Sequence, residues 1–517
     1  MDSKSSPIFG ELFVRIYESI ELIASEPFVN CADKLAGVFS ILADETADIS
    51  CKDQFSLCVR YLETNTLKLR EDFLKFVPVT SLTGESLAQT LLDNLINLGI
   101  DCSFMLGQGY DGAATMSGRF NGVQVYVRKN NNMVIYVHCA SHSLNLAISD
   151  ACDLQSIRNC MGVLSSVYNF FNTHKGQEVL LSKIASIETN IKATRLKNVC
   201  PTRWIQRHES VLIFLELQNA VTISLETISS WQDKTTCSTA LQLLSAIQNV
   251  EFQISLRTTA KIFGIPSPLS RLLQTENLDL STAMILATNI EEMLIKMRND
   301  NEKEFNYIFN DVQKICSDWD VDVKIPRKVG RQVHRSNIET DSPEVYFRVS
   351  IFIPVLDFYI IQIQRRLLDH KQILSSYHCL LPSKINNLVF KKQFETDIVH
   401  LVCRYEKIIN RSEQQSIGEL RLWWNYVSQM NDHLKNAHSV LLVALPDENI
   451  FPIIRKLLVI LVTLPVMTTT IERTFSTLCR LKTYLRNTTG ESRLNGLAML
   501  NIHRDIEIST DAVLDKL

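Results

Sequence analysis

GVFSILADETAD, residues Gly37–Asp48, is an apolar run that ends in acids. Val38–Asp44 reads as a buried strand, and its last residue offers a carboxylate at the strand's tip. Alternation along a strand puts Ala43 and Asp44 on opposite sides, and it turns Glu45 away from Asp44. Glu45 and Asp48 remain competitors for any role at that tip. Working outward, Phe55–Leu62 and Leu67–Val77 read as two further strands, with SCKDQ and ETNT as the turns between them. Three short consecutive strands make an antiparallel meander.

Thr83–Leu98 then reads as a helix, because Leu87, Leu91, Leu92, Leu95 and Ile96 fall at helical spacing. CSFMLGQGYDGA, Cys102–Ala113, is a strand (Cys102–Leu106) running into the glycine-flanked Asp111. Gly118–Arg128 reads as a short helix or irregular connection, Met133–Val137 as a fifth strand, and Cys139–Ala151 as a helix. The order βββαβαβα is that of a ribonuclease-H-like fold, an α/β class built on a mixed sheet. From Gln155 to Asp447 the pattern is helical throughout, with candidate helices at Ile157–Asn172, Glu209–Ser230, Cys237–Gln253, Ser281–Arg298, Glu302–Ser317, Pro343–Leu368 and Phe390–Ile409. The domain plan expected is a helical lead-in over 1–36, with Ile8–Ala36 largely helical, the first part of the α/β core over 37–154, an all-α insertion over 155–447, and a closing region over 448–517.

That closing region holds LPVMTTTIERTFSTLCRLKTYLRN, Leu464–Asn487, which reads as a helix. Pro465 and the Thr468–Thr470 run supply a start signal with threonines free to cap it. Ile471, Phe475, Leu478 and Leu485 make one apolar stripe, and Glu472 stands beside it, one turn in. An ordinary first-turn glutamate favoured by the helix dipole is the alternative. Beyond it, NTTGE (Asn487–Glu491) reads as a turn and Ser492 as the cap of a last helix.

Composition sets the bounds. The chain has 517 residues, 46% hydrophobic and 21% charged, as an ordinary globular protein of two to four domains has. Its net charge is −3, from 53 basic and 56 acidic residues, so contact with nucleic acid must come from local basic patches. Thirteen cysteines form no CxxC pair, which fits reduced thiols. MDSKSSPIFGEL lacks the basic-then-apolar order of a secretory signal. The most apolar run, Ile453–Met467, is broken by Arg455, Lys456 and Pro465 and falls short of the roughly 20 residues a membrane helix needs, so no membrane partner is expected. Val321–Asp341 carries Lys324, Arg327, Lys328, Arg331 and Arg335 among few large apolar residues and reads as an exposed, disordered basic loop: a solvated linker, or a phosphate-contacting or localisation segment.

Five motifs in order, ADETAD with Asp44, GYDGA with Asp111, HCASHSLNL with Cys139 and His142, PTRW with Arg203 and Trp204, and TTIERTFS with Glu472, resemble those of hAT-superfamily DNA transposases. The nearest likeness is to the transposon-derived group that includes zinc-finger MYM-type and THAP-domain proteins. The resemblance runs from about Val38 to His503. It implies a ribonuclease-H-like core interrupted by the helical insertion, and an Asp44–Asp111–Glu472 triad that binds Mg²⁺ or Mn²⁺ for DNA cleavage and strand transfer. Hard divalent ions take carboxylate oxygens, and two such ions can activate a nucleophile and steady a leaving oxygen. His142 is implied near the scissile phosphate, with a structural hydrogen-bonding role as the alternative, while Cys139 suits a buried core position. Arg203 fits phosphate, and Trp204 is implied to stack on a distorted DNA end, with a core Trp as the alternative. Trp423 and Trp424 read as packing.

The resemblance also implies a nuclear protein with DNA as partner, and self-association through a C-terminal dimerisation region in which Leu457, Leu461, Leu494, Leu497 and Leu500 are shared between subunits. A zinc-binding DNA-recognition domain usually precedes this core in the family, and the chain begins after its expected place. The alternative to an active transposase is a domesticated, non-catalytic DNA- or protein-binding dimer acting in regulation.

Overall fold

The computed structural model describes residues 35–63, 66–187, 192–199, 204–273, 280–326, 338–367, 374–381, 391–428, 440–441 and 449–504. The expected helix Ile8–Ala36 and most of the basic loop lie outside them. The described residues form two compact units. One draws on Met1–His142, Leu273–Met284 and His370–Leu517, the other on Ser143–Leu272 and Ile285–Asp369. The helical stretch expected as one insertion over 155–447 therefore divides, its later part packing with the sheet.

The sheet unit holds β1 (Leu35–Ala47), β2 (Asp53–Glu63), β3 (Leu69–Val79), β4 (Met105–Tyr110) and β5 (Ile135–His138), in the spatial order β3-β2-β1-β4-β5. β1 pairs antiparallel with β2 and parallel with β4. β2 pairs antiparallel with β3, and β4 parallel with β5. This is the mixed sheet expected. β2 is buried from Gln54 to Leu62 without a break, which requires cover on both faces, and its polar residues Gln54, Ser56 and Arg60 are buried with the apolar ones.

Strand four starts later than expected. Cys102–Phe104 forms a 3₁₀ turn, whose Ser103 N–H donates to the Asp101 carboxylate, and β4 proper runs to Tyr110. The shift brings Asp111 to the strand's very end.

Helices α1 (Gly84–Asn97), α2 (Val123–Asn130) and the start of α3 (Ala140–Cys152) follow the strands; α4 (Pro452–Thr463), α5 (Thr469–Leu481) and α6 (Glu491–Ile502) return at the chain's other end. One apolar core joins Ile41, Leu57 and Val59 of the strands with Leu87 and Leu91 of α1, Val123 of α2, Ile471 and Leu478 of α5, and Leu494 and Met499 of α6. α4 is apolar on nearly every side, and it is buried accordingly.

Two expected caps are corrected. Thr468 stands at the N-cap of α5 without a side-chain cap hydrogen bond, and α6 starts after Gly490, which leaves Ser492 inside its first turn. The helix expected over Leu464–Asn487 is only Thr469–Leu481, because Leu464–Thr468 is needed for another purpose described below. Leu485's side chain lies outside the described residues.

The second unit is helical. The expected Cys237–Gln253 helix is two helices, Lys234–Ile247 and Val250–Gly264, since Asn249 accepts the Glu251 and Phe252 N–H groups and starts a new one. Pro343–Leu367 is a helix carrying a π-turn at Arg348–Phe352. Two stretches here, Arg207–Ser229 and Pro343–Arg366, are long and apolar enough to cross a membrane, yet 56% and 50% of them is packed inside the fold, as in core helices. The first also buries Gln218, Thr222 and Ser224. Trp423 and Trp424, in the sheet unit, donate their Nε1–H groups to the carbonyls of Leu380 and Cys379 and are packing residues, as the sequence suggested.

Candidate functional site

The parallel pairing of β1 and β4 runs Ser40 opposite Gly107, Ile41 opposite Gln108 and Leu42 opposite Gly109. Continued two steps past the last pair, that register sets Asp44 against Asp111; Asp111 follows the end of β4, whereas Asp44 lies three residues inside the end of β1, which runs on to Ala47 beyond the tip expected at Asp44. On the other side of β1, Asp44 pairs with Ser56 and Glu45 with Phe55, on opposite faces of the sheet. The Ser56 hydroxyl lies 2.8 Å from the Thr474 hydroxyl of α5. That contact brings the helix bearing Glu472 onto the face of Asp44.

How α5 gets there is written in the glycines of LGQGYDG. Leu464–Thr468, the link between α4 and α5, is fully buried and passes across β4. A Cβ on Gly107 would come within 2.9 Å of Pro465 and 2.1 Å of the Ser40 hydroxyl; one on Gly109 would come within 2.7 Å of Pro465. Only glycine lets the crossing segment lie this close.

Cys139 fastens the crossing. Its buried sulfur accepts the Thr468 N–H at 3.3 Å and the His142 N–H at 3.4 Å, while Ala140 N–H donates to Val466 O at 2.9 Å. Burial pushes the Cys139 thiol up. It is the core cysteine expected, and it ties the start of α3 to the start of α5.

Two polar clamps, missed by the sequence reading, fix the ends of α5. Ahead of its start, fully buried Arg60 donates to Val462 O in the last turn of α4 (3.3 and 3.1 Å) and pairs with Glu71 at 2.5 Å. Glu71 in turn accepts the Thr470 hydroxyl. Beyond its end, Lys482 pairs with Asp48 at 2.5 Å, the two side chains only 4% and 0% exposed. Asp48 also accepts from Ser50, Lys52 and Gln54. Burial alone would raise its carboxyl, but Lys482 and these donors hold it well below the usual carboxylate range. Asp48 is thus a structural anchor, not a competitor for the site.

The electrostatics mark Asp44. Burial, then the negative charges of Asp111 and Glu45, pushes its carboxyl up to about 8, against the Glu45 N–H that donates to it at 2.9 Å; Glu472 adds to the rise. The charged groups that act most strongly on Asp44 are all acids. Burial and the charge of Asp111 raise Glu45 as well, although Glu45 faces away from Asp44 along the strand. Glu45 Oε1 accepts the Thr115 hydroxyl at 3.4 Å, and its buried Oε2 has no hydrogen-bond partner. Asp111 Oδ1 accepts the Ala113 N–H at 3.0 Å, and Glu472 is exposed on the first turn of α5.

Gly112 packs against two imidazoles, His138 and His142, whose rings are 5.9 Å apart. His142 therefore lies beside the Asp111 turn; His138, which the sequence reading passed over, lies there too.

Hard oxygen donors with surplus negative charge and an orphaned buried carboxylate oxygen suit a divalent cation in kind. Among the described residues, however, no three His, Cys, Asp or Glu side chains are gathered closely enough to hold one as they stand.

The remaining expected residues lie elsewhere. Trp204 opens the helix Trp204–Ser229, but its side chain, and all of Arg203, fall outside the described residues, as do Arg327, Lys328, Arg331 and Arg335. Lys324 is exposed and pairs with Asp322 at 2.6 Å. Leu457 and Leu461 are 0% exposed inside the sheet unit and Leu494 is 2% exposed, which leaves them nothing to share with a second subunit. Of the five leucines expected at an interface, only Leu497 and Leu500 keep accessible surface.

Comparison with known proteins agrees with this layout. Residues 18–122, which contain Asp44 and Asp111, match the family described as ZMYM1/FAM200, RNase-like domain. Residues 428–506, which contain Glu472, match the hAT family C-terminal dimerisation region. The chain thus carries an RNase-like domain and a hAT dimerisation region, which bears out the hAT resemblance of its motifs. Among curated proteins it is similar to the human protein named 52 kDa repressor of the inhibitor of the protein kinase, 26% identical over 494 residues. The mouse protein of the same name is 25% identical over 493. Each match covers 92% of this chain, which spans 63% of the length of those relatives.

Proposed function

We propose that this chain is a self-associating, DNA-binding nuclear protein of transposase descent, whose Asp44, Asp111 and Glu472 bind Mg²⁺ or Mn²⁺ and serve DNA cleavage and strand transfer. The observation that carries the reading is the convergence of acids at one end of the sheet: Asp44 near the end of β1 and Asp111 just past the end of its parallel neighbour β4, with Glu472 delivered over Gly107 and Gly109 by the buried crossing. Bound there, a divalent ion supplies charge stabilisation for in-line attack on a phosphodiester. Asp44 and Asp111 would hold it from the strands and Glu472 from α5. His142, beside the Asp111 turn, would hydrogen-bond the scissile phosphate.

The test is nicking of supercoiled DNA in Mn²⁺. Glu472→Gln is expected to lose cleavage by at least about a hundredfold, the scale on which removing one charge-stabilising group acts, with an unchanged melting temperature. Cleavage at the wild-type rate by Glu472→Gln would sink the assignment.

A second reading, a non-catalytic regulatory dimer, is favoured by the ungathered ligand set and by the relatives' name, which calls them repressors. DNA binding without metal-dependent nicking in the wild type is its signature. Both readings require self-association. Leu497→Glu with Leu500→Glu is expected to lower the mass seen by light scattering to that of one chain while the fold persists. Unfolding of this variant, or a wild type that is monomeric at micromolar concentration, would show that these leucines serve the core alone.

A further inference from the structure

The turn after the site carries a side chain that the core does not use. Between β4 and α2 the chain reads SGRFNG, Ser117–Gly122. Its tip, Arg119–Phe120–Asn121, is exposed, and Phe120 is 86% exposed. Lone exposed apolar side chains are ordinary; three observations set this one apart.

First, the tip is held rigidly. Gly122 N–H donates to Gly118 O at 3.1 Å, and buried Gln124 donates to the carbonyls of Ser117 and Gly118. Gln108 of β4 donates to Gln124 O. A Cβ on Gly118 would meet Ala114 O at 2.5 Å, and one on Gly122 would meet Gly118 N at 2.4 Å. A phenyl ring carried into water on so closed a turn hides little of its apolar area.

Second, the stretch leading into the turn reaches the same end of the sheet as the acids, on the side of Glu45. Thr115, two residues before Ser117, donates to Glu45. Third, the turn belongs to a stretch of an acidic chain that carries no negative side chain of its own. From Gly112 to Ser149 there is no Asp or Glu, while Arg119, Arg128 and Lys129 all lie within that span. An aromatic side chain next to a cation is the pairing that single-stranded nucleic acid uses, base on ring and phosphate on guanidinium.

We propose that Phe120 is a stacking platform for an unpaired base of DNA lying at the carboxylate edge, with Arg119 on the adjoining phosphate. The inference rests on the DNA-binding reading and deepens it.

The experiment uses the full chain and fluorescence anisotropy with a labelled oligothymidylate and a blunt duplex, at low salt. Phe120→Ala is expected to weaken oligothymidylate binding about tenfold and duplex binding by less than about twofold, the asymmetry expected of base stacking. Phe120→Trp is expected to restore binding, and its indole fluorescence to be quenched by the oligonucleotide. Ile96→Ala, which removes another exposed apolar side chain (62% exposed) from the far end of α1, is expected to change neither. Unaltered oligothymidylate binding by Phe120→Ala overturns the proposal. So does an equal loss on both DNAs, or a change in the light-scattering mass, which would assign the ring to a contact between chains. A wild type that binds neither DNA would overturn the DNA-binding reading as well, whereas DNA binding indifferent to Phe120 overturns this inference alone.

Discussion

Lys482→Met is expected to lower the unfolding free energy of the sheet unit by about 3–5 kcal/mol, because it strands a buried carboxylate. Asp48 would keep its hydroxyl and amide donors but lose the cation at 2.5 Å, with both side chains out of water. The measurement is the urea midpoint, with secondary structure and intrinsic fluorescence followed together. Pairing Lys482→Met with Asp48→Leu separates the pair's net worth from the penalty of breaking it. An apolar replacement of both partners is expected to recover only part of the loss, because the Ser50, Lys52 and Gln54 donors then lose their acceptor. The pair also has a pH signature. Its folded carboxyl is depressed, so its contribution is present above the unfolded value of about 3.9 and is lost as pH falls below that toward the depressed folded value. A wild type and a Lys482→Met variant with equal midpoints would mean the contact is not made in solution.

Asp44→Asn is expected to act in the opposite sense. The folded carboxyl sits near 8 against an ordinary 3.8, so between those values the unfolded chain ionises and the folded chain does not. Stability therefore falls as pH rises from about 4 to about 8, by at most roughly 5–6 kcal/mol at about 1.4 kcal/mol per pKa unit. Asp44→Asn should flatten that slope and melt above the wild type at pH 8. A divalent cation should compete with the same cost. Mg²⁺ or Mn²⁺ at about a hundredfold over its dissociation constant would add about 2.7 kcal/mol to the wild type, more at pH 8 than at pH 5, and little to Asp44→Asn with Asp111→Asn. Identical melting curves with and without Mn²⁺ across that pH range would remove the cation from the site.

The strands and the acids were legible because each is local. Apolar runs in Gly37–Asp48 and Phe55–Leu62 read as strands without reference to anything distant, and a motif supplied Asp44, Asp111 and Glu472. The ends of elements were less legible. Cys102–Phe104 passed for strand because its apolar character hid the Asp101 cap, and Cys237–Gln253 passed for one helix because Asn249 is a small signal inside a periodic pattern. What remained unreadable was long-range. Arg60 reaches Val462, Asp48 reaches Lys482, and Gly109 answers to Pro465; no spacing in the sequence announces partners so far apart. The crowded leucines of α4 show the same limit. Composition could not tell a helix wrapped by its own chain from one waiting for a second copy, and Leu457 and Leu461 belong to the first kind.

The crossing of Leu464–Thr468 over β4 also sets a timetable. β5 leaves the ribosome with the sheet's other strands, but α5 follows about 330 residues later, a delay of roughly 17–66 s at about 5–20 residues per second. Until then Ser56, Arg60 and the glycine floor of β4 lack their late-made cover, and β3 lacks Asn495, whose amide bonds both the N–H and the carbonyl of Phe76. An apolar sheet with an open edge is the surface that holdase chaperones bind and that neighbouring nascent chains pair with. A ribosome that stops before α5 would release a sheet without Glu472 and without its cover, and hence a product for clearance.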